Sequence, residues 1–274
     1  MHNMSNPLYI GFSSQKGGVG KSTIAEVLAS ILYYDYGYRL LVVDCDTAQN
    51  SFYRHRERDK QFILSSSSKV VQQLSKVLTE RGVPAYPIVT AEIADAVAMA
   101  NHLCAQNEYE LVLFDLAGRC DSSEMLELAL SLDYILSPIE PDEQSLASSL
   151  AYAATLKTAQ KQLDSCRLRE VYLLWNKIDR RVRQNIIEKY ERIMSDFALP
   201  QLQSRLYFTK RYSNELVGAQ ELSEVFRSTY LPPTQSLQRG TGISELVQEV
   251  IEKILPPRRE TPNQSDELAK QITQ

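Results

Sequence analysis

Apolar runs alternate with amphipathic stretches along most of this chain. Seven short runs rich in aliphatic, β-branched or aromatic residues, LYIGFSS, RLLVVDC, AYPIV, YELVLFDL, YILSPIE, VYLLWNK and RLYFT, predict strands. Between them, apolar spacing predicts helices over 21–36, 66–80, 92–106, 122–131, 142–163 and 180–197. This alternation predicts an α/β fold, a three-layer, doubly wound, mostly parallel β-sheet flanked by helices and joined by right-handed crossovers. Runs such as LLVV, apolar at every position, fit strands buried on both faces. A last helix, GISELVQEVIEKIL, aligns Ile243, Leu246, Val250 and Ile254 on one face, which predicts docking onto the domain. From residue 256 the pattern stops: PPRRETPNQSDELAKQITQ is proline-rich at its start and poor in aliphatics, so 256–274 is expected to be a polar, disordered tail.

Composition narrows the class. No apolar run approaches the roughly 20 residues of a membrane-spanning helix, and MHNMSNPLYIGF lacks the basic-then-apolar layout of a secretory signal. The expected location is the cytoplasm. No amphipathic basic helix or lipidation signal ends the chain, so no membrane partner is expected. Cys45, Cys104, Cys120 and Cys166 are far apart with no C-x-x-C pair, which argues for buried free thiols over a zinc ribbon or a disulfide framework. The formal charge of −4 excludes a globally basic nucleic-acid binder but leaves a local basic face open.

The densest chemical signal is QKGGVGKST, residues 15–23, lying between the first strand run and a helical pattern. Strand, glycine loop, helix is the context that gives a phosphate-binding loop its meaning. Gly17, Gly18 and Gly20 let the backbone approach phosphates closely and aim its N–H groups, Val19 included, inward, while the following helix N-terminus adds partial positive charge. Lys21 then faces the β- and γ-phosphates, Ser22 ligates Mg²⁺, and Thr23 reaches the α-phosphate. The usual loop has glycine where Gln15 stands and requires no lysine at Lys16.

With that departure, QKGGVGKST resembles the deviant Walker A motif of the ParA/MinD ATPase family. The resemblance runs from about residue 8 to about 255 and implies an ATPase domain over 1–255. It also implies that Lys16 reaches across an ATP-dependent homodimer to the partner's phosphates. A second cation on the γ-phosphate is one way to stabilise charge developing in phosphoryl transfer. Acidic residues at strand carboxyl ends fit the same site. In LLVVDCDTAQNS, Asp44 closes a strand and Asp46 follows, resembling the family's second signature, with Thr47 where proline is usual. The resemblance gives Asp46 the attacking water and Asp44 support of the Mg²⁺ shell. In LVLFDLAGRC, Asp115 ends an apolar run as a Walker B carboxylate holding Mg²⁺, with Ala117 and Gly118 where the family often has a proline. WNKID resembles the base-recognition segment, in which Asn176 bonds adenine; the N-K-x-D pattern with Asp179 also keeps GTP as an alternative nucleotide.

ATP and Mg²⁺ are therefore the cofactors expected, with an activating partner protein. The strings VVDCD and FDLAG are similar to ParA-like proteins of conjugative elements. Nonspecific double-stranded DNA, and hence nucleoid association, is expected through Arg180, Arg181, Arg183, Lys210 and Arg211, against the alternative that these residues form a solvated face. A MinD-like positioning ATPase acting without DNA is the runner-up. An iron-sulfur reductase resting on Cys120, a tyrosine kinase resting on Tyr33, Tyr34, Tyr36 and Tyr38, and a ligase are weaker readings, and the tyrosine cluster is expected to be packing.

Overall fold

A computed structural model describes residues 6–118, 122–163, 166–181 and 184–256, with only the backbone of Gln144 and Ser145. Cys120, Arg183 and 257–274 of the expected tail lie outside the described residues. In chain order the elements are β1 (Leu8–Phe12), α1 (Lys21–Tyr34), β2 (Leu40–Asp44), α2 (Ser51–Ser65), α3 (Lys69–Arg81), β3 (Ile88–Thr90), α4 (Ala96–Gln106) and β4 (Leu111–Asp115). There follow α5 (Ser123–Leu130), β5 (Tyr134–Ile139), α6 (Glu143–Gln162), β6 (Glu170–Ile178), α7 (Gln184–Asp196), β7 (Gln201–Tyr207), α8 (Gln235–Gln238) and α9 (Ile243–Lys253).

The strands form one sheet in the order β3-β2-β4-β1-β5-β6-β7, and every pairing is parallel. Strands apolar at every position sort their side chains by period two into two layers. Leu8, Ile10, Phe12, Val42 and Leu113 join one core with α1 and α9, while Tyr9, Leu41, Val43, Val112 and Phe114 join the other with α4, α5, α6 and α7. The expected face of α9, Ile243 to Ile254, is buried in the first of these cores. A smaller cluster packs Val70 and Leu74 of α3 against Leu216, Val225 and Leu231.

Two helices escape the periodicity reading, the single-turn α8 and the longer α2. α2 buries only Phe52, His55 and Asp59, so it carries no apolar stripe. Distant residues hold it instead. The Asp44 carboxylate at the tip of β2 accepts the Phe52 and Tyr53 N–H groups at 3.1 and 3.0 Å, and Glu26 of α1 meets His55 Nδ1 at 2.6 Å. The expectation of buried thiols holds for Cys45, but Cys104 and Cys166 are half-buried. The tyrosines ending α1 pack as expected, Tyr33 and Tyr34 lying 5.5 and 5.9 Å from the Tyr86 ring, although Tyr36 is exposed. Among the described residues no helix is long and apolar enough to cross a membrane.

α9 also supports an irregularity in β7, which slips out of register with β6 between Gln201 and Arg205. Both Glu249 oxygens accept from that stretch, Gln203 N–H and Ser204 N–H at 2.7 Å each, with the Ser204 hydroxyl at 2.6 Å. The carboxylate thereby satisfies consecutive N–H groups at the bulge. Glu249→Ala leaves these donors without an acceptor, an expected loss of about 1–3 kcal/mol. Thermal unfolding should show Tm lower by at least roughly 2–4 °C, with an unchanged far-ultraviolet spectrum.

Candidate functional site

Three neighbouring strand tips define the site. Parallel register sets Phe12 beside Asp115 and Asp115 beside Asp44, so the loop leaving β1 opens next to both carboxylates. Gly18 and Gly20 have φ of +77° and +92°, a region open to glycine at little cost. Gly20 is also the N-cap of α1 and offers no side-chain cap, which leaves the first N–H groups of that helix facing the loop. Beneath the loop, buried Asn176 donates Nδ2–H to the Val19 carbonyl at 2.7 Å; a methyl group on Gly20 would stand 2.6 Å from that nitrogen.

Lys21 is buried. The segment after β4 lies against it, because a methyl on Gly118 would be 3.5 Å from both Lys21 Nζ and Gly17 Cα. Asp115 is 1% exposed, and neither carboxylate oxygen makes a well-formed hydrogen bond among the described residues, although the Ser22 hydroxyl is nearby. Burial pushes its carboxyl up to about 7, against the nearby Ser22 hydroxyl and Lys21, with Asp44 and Asp46 repelling further. Two buried carboxylate oxygens beside a serine hydroxyl fit Mg²⁺, which takes few protein ligands and completes its shell with water and phosphate oxygens. No group of three or more His, Cys, Asp or Glu side chains forms a metal cage among the described residues, as that mode of binding requires none.

The remaining acids are engaged in structure. Asp44 accepts three backbone N–H groups, from Phe52, Tyr53 and Asp46; burial raises its carboxyl and these bonds oppose the rise. Asp46 is half-buried at the turn before α2 and accepts Gln49 N–H at 3.1 Å. Lys16 points to the entry of α6, 3.1 Å from Asp142 and 3.7 Å from Glu140. Lys177, which the sequence offers as the first cation of the basic stretch NKIDRRVRQNIIEKYER, serves the loop instead. It holds φ +53°, pairs with Glu140 at 2.8 Å, and donates to the Gly18 carbonyl. Thr23 lies in the first turn of α1, its hydroxyl 3.5 Å from an Arg227 nitrogen.

The basic residues expected to meet DNA divide. Arg180 donates to the Gly240 carbonyl and covers the Tyr207 ring, and Arg211 donates to the Leu237 and Arg239 carbonyls. Arg181 is exposed and pairs with Asp179, and Lys210 is exposed. On α7, Glu191 pairs with Arg205 of β7 at 2.7 Å.

Comparison with known proteins gives a consistent picture. The model of the CobQ/CobB/MinD/ParA nucleotide binding domain matches residues 10–217. An uncharacterized protein of Borreliella burgdorferi is 31% identical over 155 residues, covering 50% of this chain and 61% of the relative. The alignment therefore spans less than two thirds of that relative. Among solved structures, the McdA–ATP complex of Cyanothece is similar at TM-score 0.57 and 15% identity, over 93% of this chain and 100% of that one. A ParA family ATPase of Chlorobium tepidum gives 0.54 and 18%, over 91% and 100%. The MinC:MinD complex of Aquifex aeolicus gives 0.54 and 16%, over 92% and 98%. At these identities the structural likeness establishes the fold.

Asp115 yields a stability prediction. Burial raises its folded carboxyl to about 7, above the ordinary aspartate range, so the folded state holds the proton more tightly and stability falls as pH rises from about 4 to about 7. Asp35 and Asp59, each raised by burial to about 6, act in the lower part of that window. Asp115→Asn should therefore reduce the slope throughout that window, most visibly between pH 6 and 7, where Asp35 and Asp59 no longer contribute. It should also raise ligand-free stability at pH 7.5 by on the order of 1 kcal/mol, read by denaturant unfolding across pH.

Proposed function

The chain belongs to the CobQ/CobB/MinD/ParA family of nucleotide-binding domains, and from that premise we propose that it is a Mg²⁺-dependent ATP hydrolase of the ParA/MinD type working as a dimerisation switch. ATP joins two protomers, the dimer occupies a scaffold, and a partner protein accelerates an otherwise slow hydrolysis that releases it. One observation supports this above others: an uncapped glycine loop, buried Lys21 and the buried carboxylate of Asp115 converge at adjoining strand tips.

In this reading Lys21 holds the β- and γ-phosphates, Thr23 the α-phosphate, and the loop N–H groups the bridging oxygens. Ser22 and Asp115 hold Mg²⁺, which when bound offsets negative charge on the phosphates, and Asp44 fixes the neighbouring turn. Asp46 orients the attacking water. Asn176 has a second amide N–H besides the one given to Val19, and that donor reads the adenine. Lys16 leaves Asp142 and Glu140 to meet the partner's γ-phosphate as charge develops.

Nonspecific DNA is the first scaffold proposed, in a partition, positioning or conjugal-transfer role, with exposed Arg181 and Lys210 facing phosphates. A second reading, the same switch acting on a non-DNA scaffold, is favoured by the engagement of Arg180 and Arg211 with backbone carbonyls. The Aquifex aeolicus MinD solved with MinC illustrates a protein partner on this fold.

The test joins three variants to one binding assay. Lys21→Ala should weaken ATP binding by at least about 30-fold, as removal of one charge partner worth roughly 2 kcal/mol implies. Lys16→Ala should keep ATP affinity yet lose ATP-dependent dimerisation and hydrolysis, and Asp46→Ala should accumulate as an ATP-bound dimer, both read by light scattering and phosphate release. Duplex DNA binding by wild type at two salt concentrations then separates the scaffolds. Binding that needs ATP and falls steeply with salt supports DNA, whereas an ATP dimer that ignores DNA supports the second reading.

A further inference from the structure

Behind the loop lies a cluster of charges that the proposed chemistry does not use. Glu26 of α1 and His55 and Asp59 of α2 are 2%, 3% and 0% exposed. His55 Nδ1 is 2.6 Å from Glu26 Oε2 and its Nε2 is 3.5 Å from Asp59 Oδ1, which lies in the carboxylate that accepts the Ser228 hydroxyl at 2.9 Å. Arg227 closes the cluster. Its Nε is 3.4 Å from Glu26 Oε2, one terminal nitrogen is 3.1 Å from Glu215 Oε1, and the other donates to the Thr23 hydroxyl at 3.5 Å.

Three features make this more than charge neutralisation. The backbone under Arg227 is fixed, since Glu215 and Arg227 form a parallel β-bridge and the Phe226 and Arg227 N–H groups both donate to the Asn214 carbonyl at 2.9 Å. Two carboxylates on separate segments then flank the guanidinium, Glu215 at a terminal nitrogen and Glu26 near Nε, which makes no hydrogen bond among the described residues, while the other terminal nitrogen meets the first turn of α1. Finally, burying Glu26 is unfavourable unless the ion it holds serves there, and its Oε1 has no partner among the described residues. A guanidinium held between two carboxylates, its side chain 21% exposed, stands beside a helix N-terminus where it can receive a phosphate oxygen.

Resting on the nucleotide reading above, we infer that Arg227 is a nucleotide-positioning residue, acting at the α-phosphate side of the site through and alongside Thr23. Because the α-phosphate is common to both nucleotides, its contribution is equal for ADP and ATP. A residue serving the γ-phosphate would favour ATP.

The decisive comparison sets Arg227→Gln beside the double variant Glu26→Gln/Arg227→Gln, in which both members of the buried pair lose their charge. Calorimetric titration with ADP and with a non-hydrolysable ATP analogue is run beside ligand-free thermal unfolding. Arg227→Gln should weaken both nucleotides by about tenfold, the scale of one charge-assisted hydrogen bond, with the ADP to ATP-analogue ratio of wild type retained. The double variant should regain ligand-free Tm and stay weak for both. It also carries the test if the single variant does not fold. Wild-type affinity in the double variant would overturn the inference, leaving Arg227 as the counter-ion of Glu26; so would loss confined to the ATP analogue. Wild-type protein that binds neither ligand would instead overturn the nucleotide reading itself.

Discussion

Everything at this site hangs on the parallel pairing of β1 with β4. β1 is buried at all its positions and lies between β4 and β5, so its carboxyl end cannot shift without moving the centre of the sheet. The register that sets Phe12 against Asp115 fixes where the chain leaves the sheet and where the Asp115 carboxylate stands relative to it. β1 ends at Phe12, and beyond Ser13 and Ser14 the chain enters a loop with positive φ at Gly18 and Gly20. The sheet thus supplies rigidity from below, and the glycines supply the only backbone able to turn above it.

The mouth of the loop holds Lys21 and Asp115 out of water, and any ligand that enters meets both. Lys21 and Asp115 are mutually stabilising, yet burial still dominates and holds Asp115 near neutral titration. Asp44 is handled differently: three backbone donors satisfy the charge, and the same bonds start α2. The structure therefore divides two adjacent carboxylates by task. One is satisfied and holds the scaffold, while the other, at the mouth of the loop, makes no well-formed hydrogen bond among the described residues. Such division by environment is what separates a structural acid from a ligand-binding one.

The sheet and the loop were legible in the sequence because their causes are local: continuous apolar runs for doubly buried strands, and glycines at fixed offsets before a helix. α2 was not, because its stability comes from Asp44 and Glu26, distant in sequence, and not from an apolar stripe of its own. The roles of Arg180 and Arg211 were hidden for a related reason. A charge count sees two cations, but the acceptors that occupy them are backbone carbonyls of the 237–240 segment, which no composition records. Lys177 and Arg227 belong to the same class, basic residues whose work is set by tertiary neighbours.

Lys16 brings these lines together. It lies against Asp142 and Glu140 on one protomer, whereas the proposed switch needs it at the phosphates of another. A single ammonium cannot do both, so the question is which attraction dominates. Lys16 and Asp142 are 38% and 43% exposed, and an ion pair so open to water contributes roughly 0–1 kcal/mol. A γ-phosphate enclosed between two protomers is desolvated and more highly charged, which makes its attraction for the same cation several times greater. Glu140 has a second cation, Lys177, at 2.8 Å, so departure of Lys16 does not leave that carboxylate alone. The intramolecular pair is thus strong enough to fix the lysine's position in the monomer and too weak to oppose its transfer. That asymmetry is what an ATP-gated contact between two copies of this chain requires.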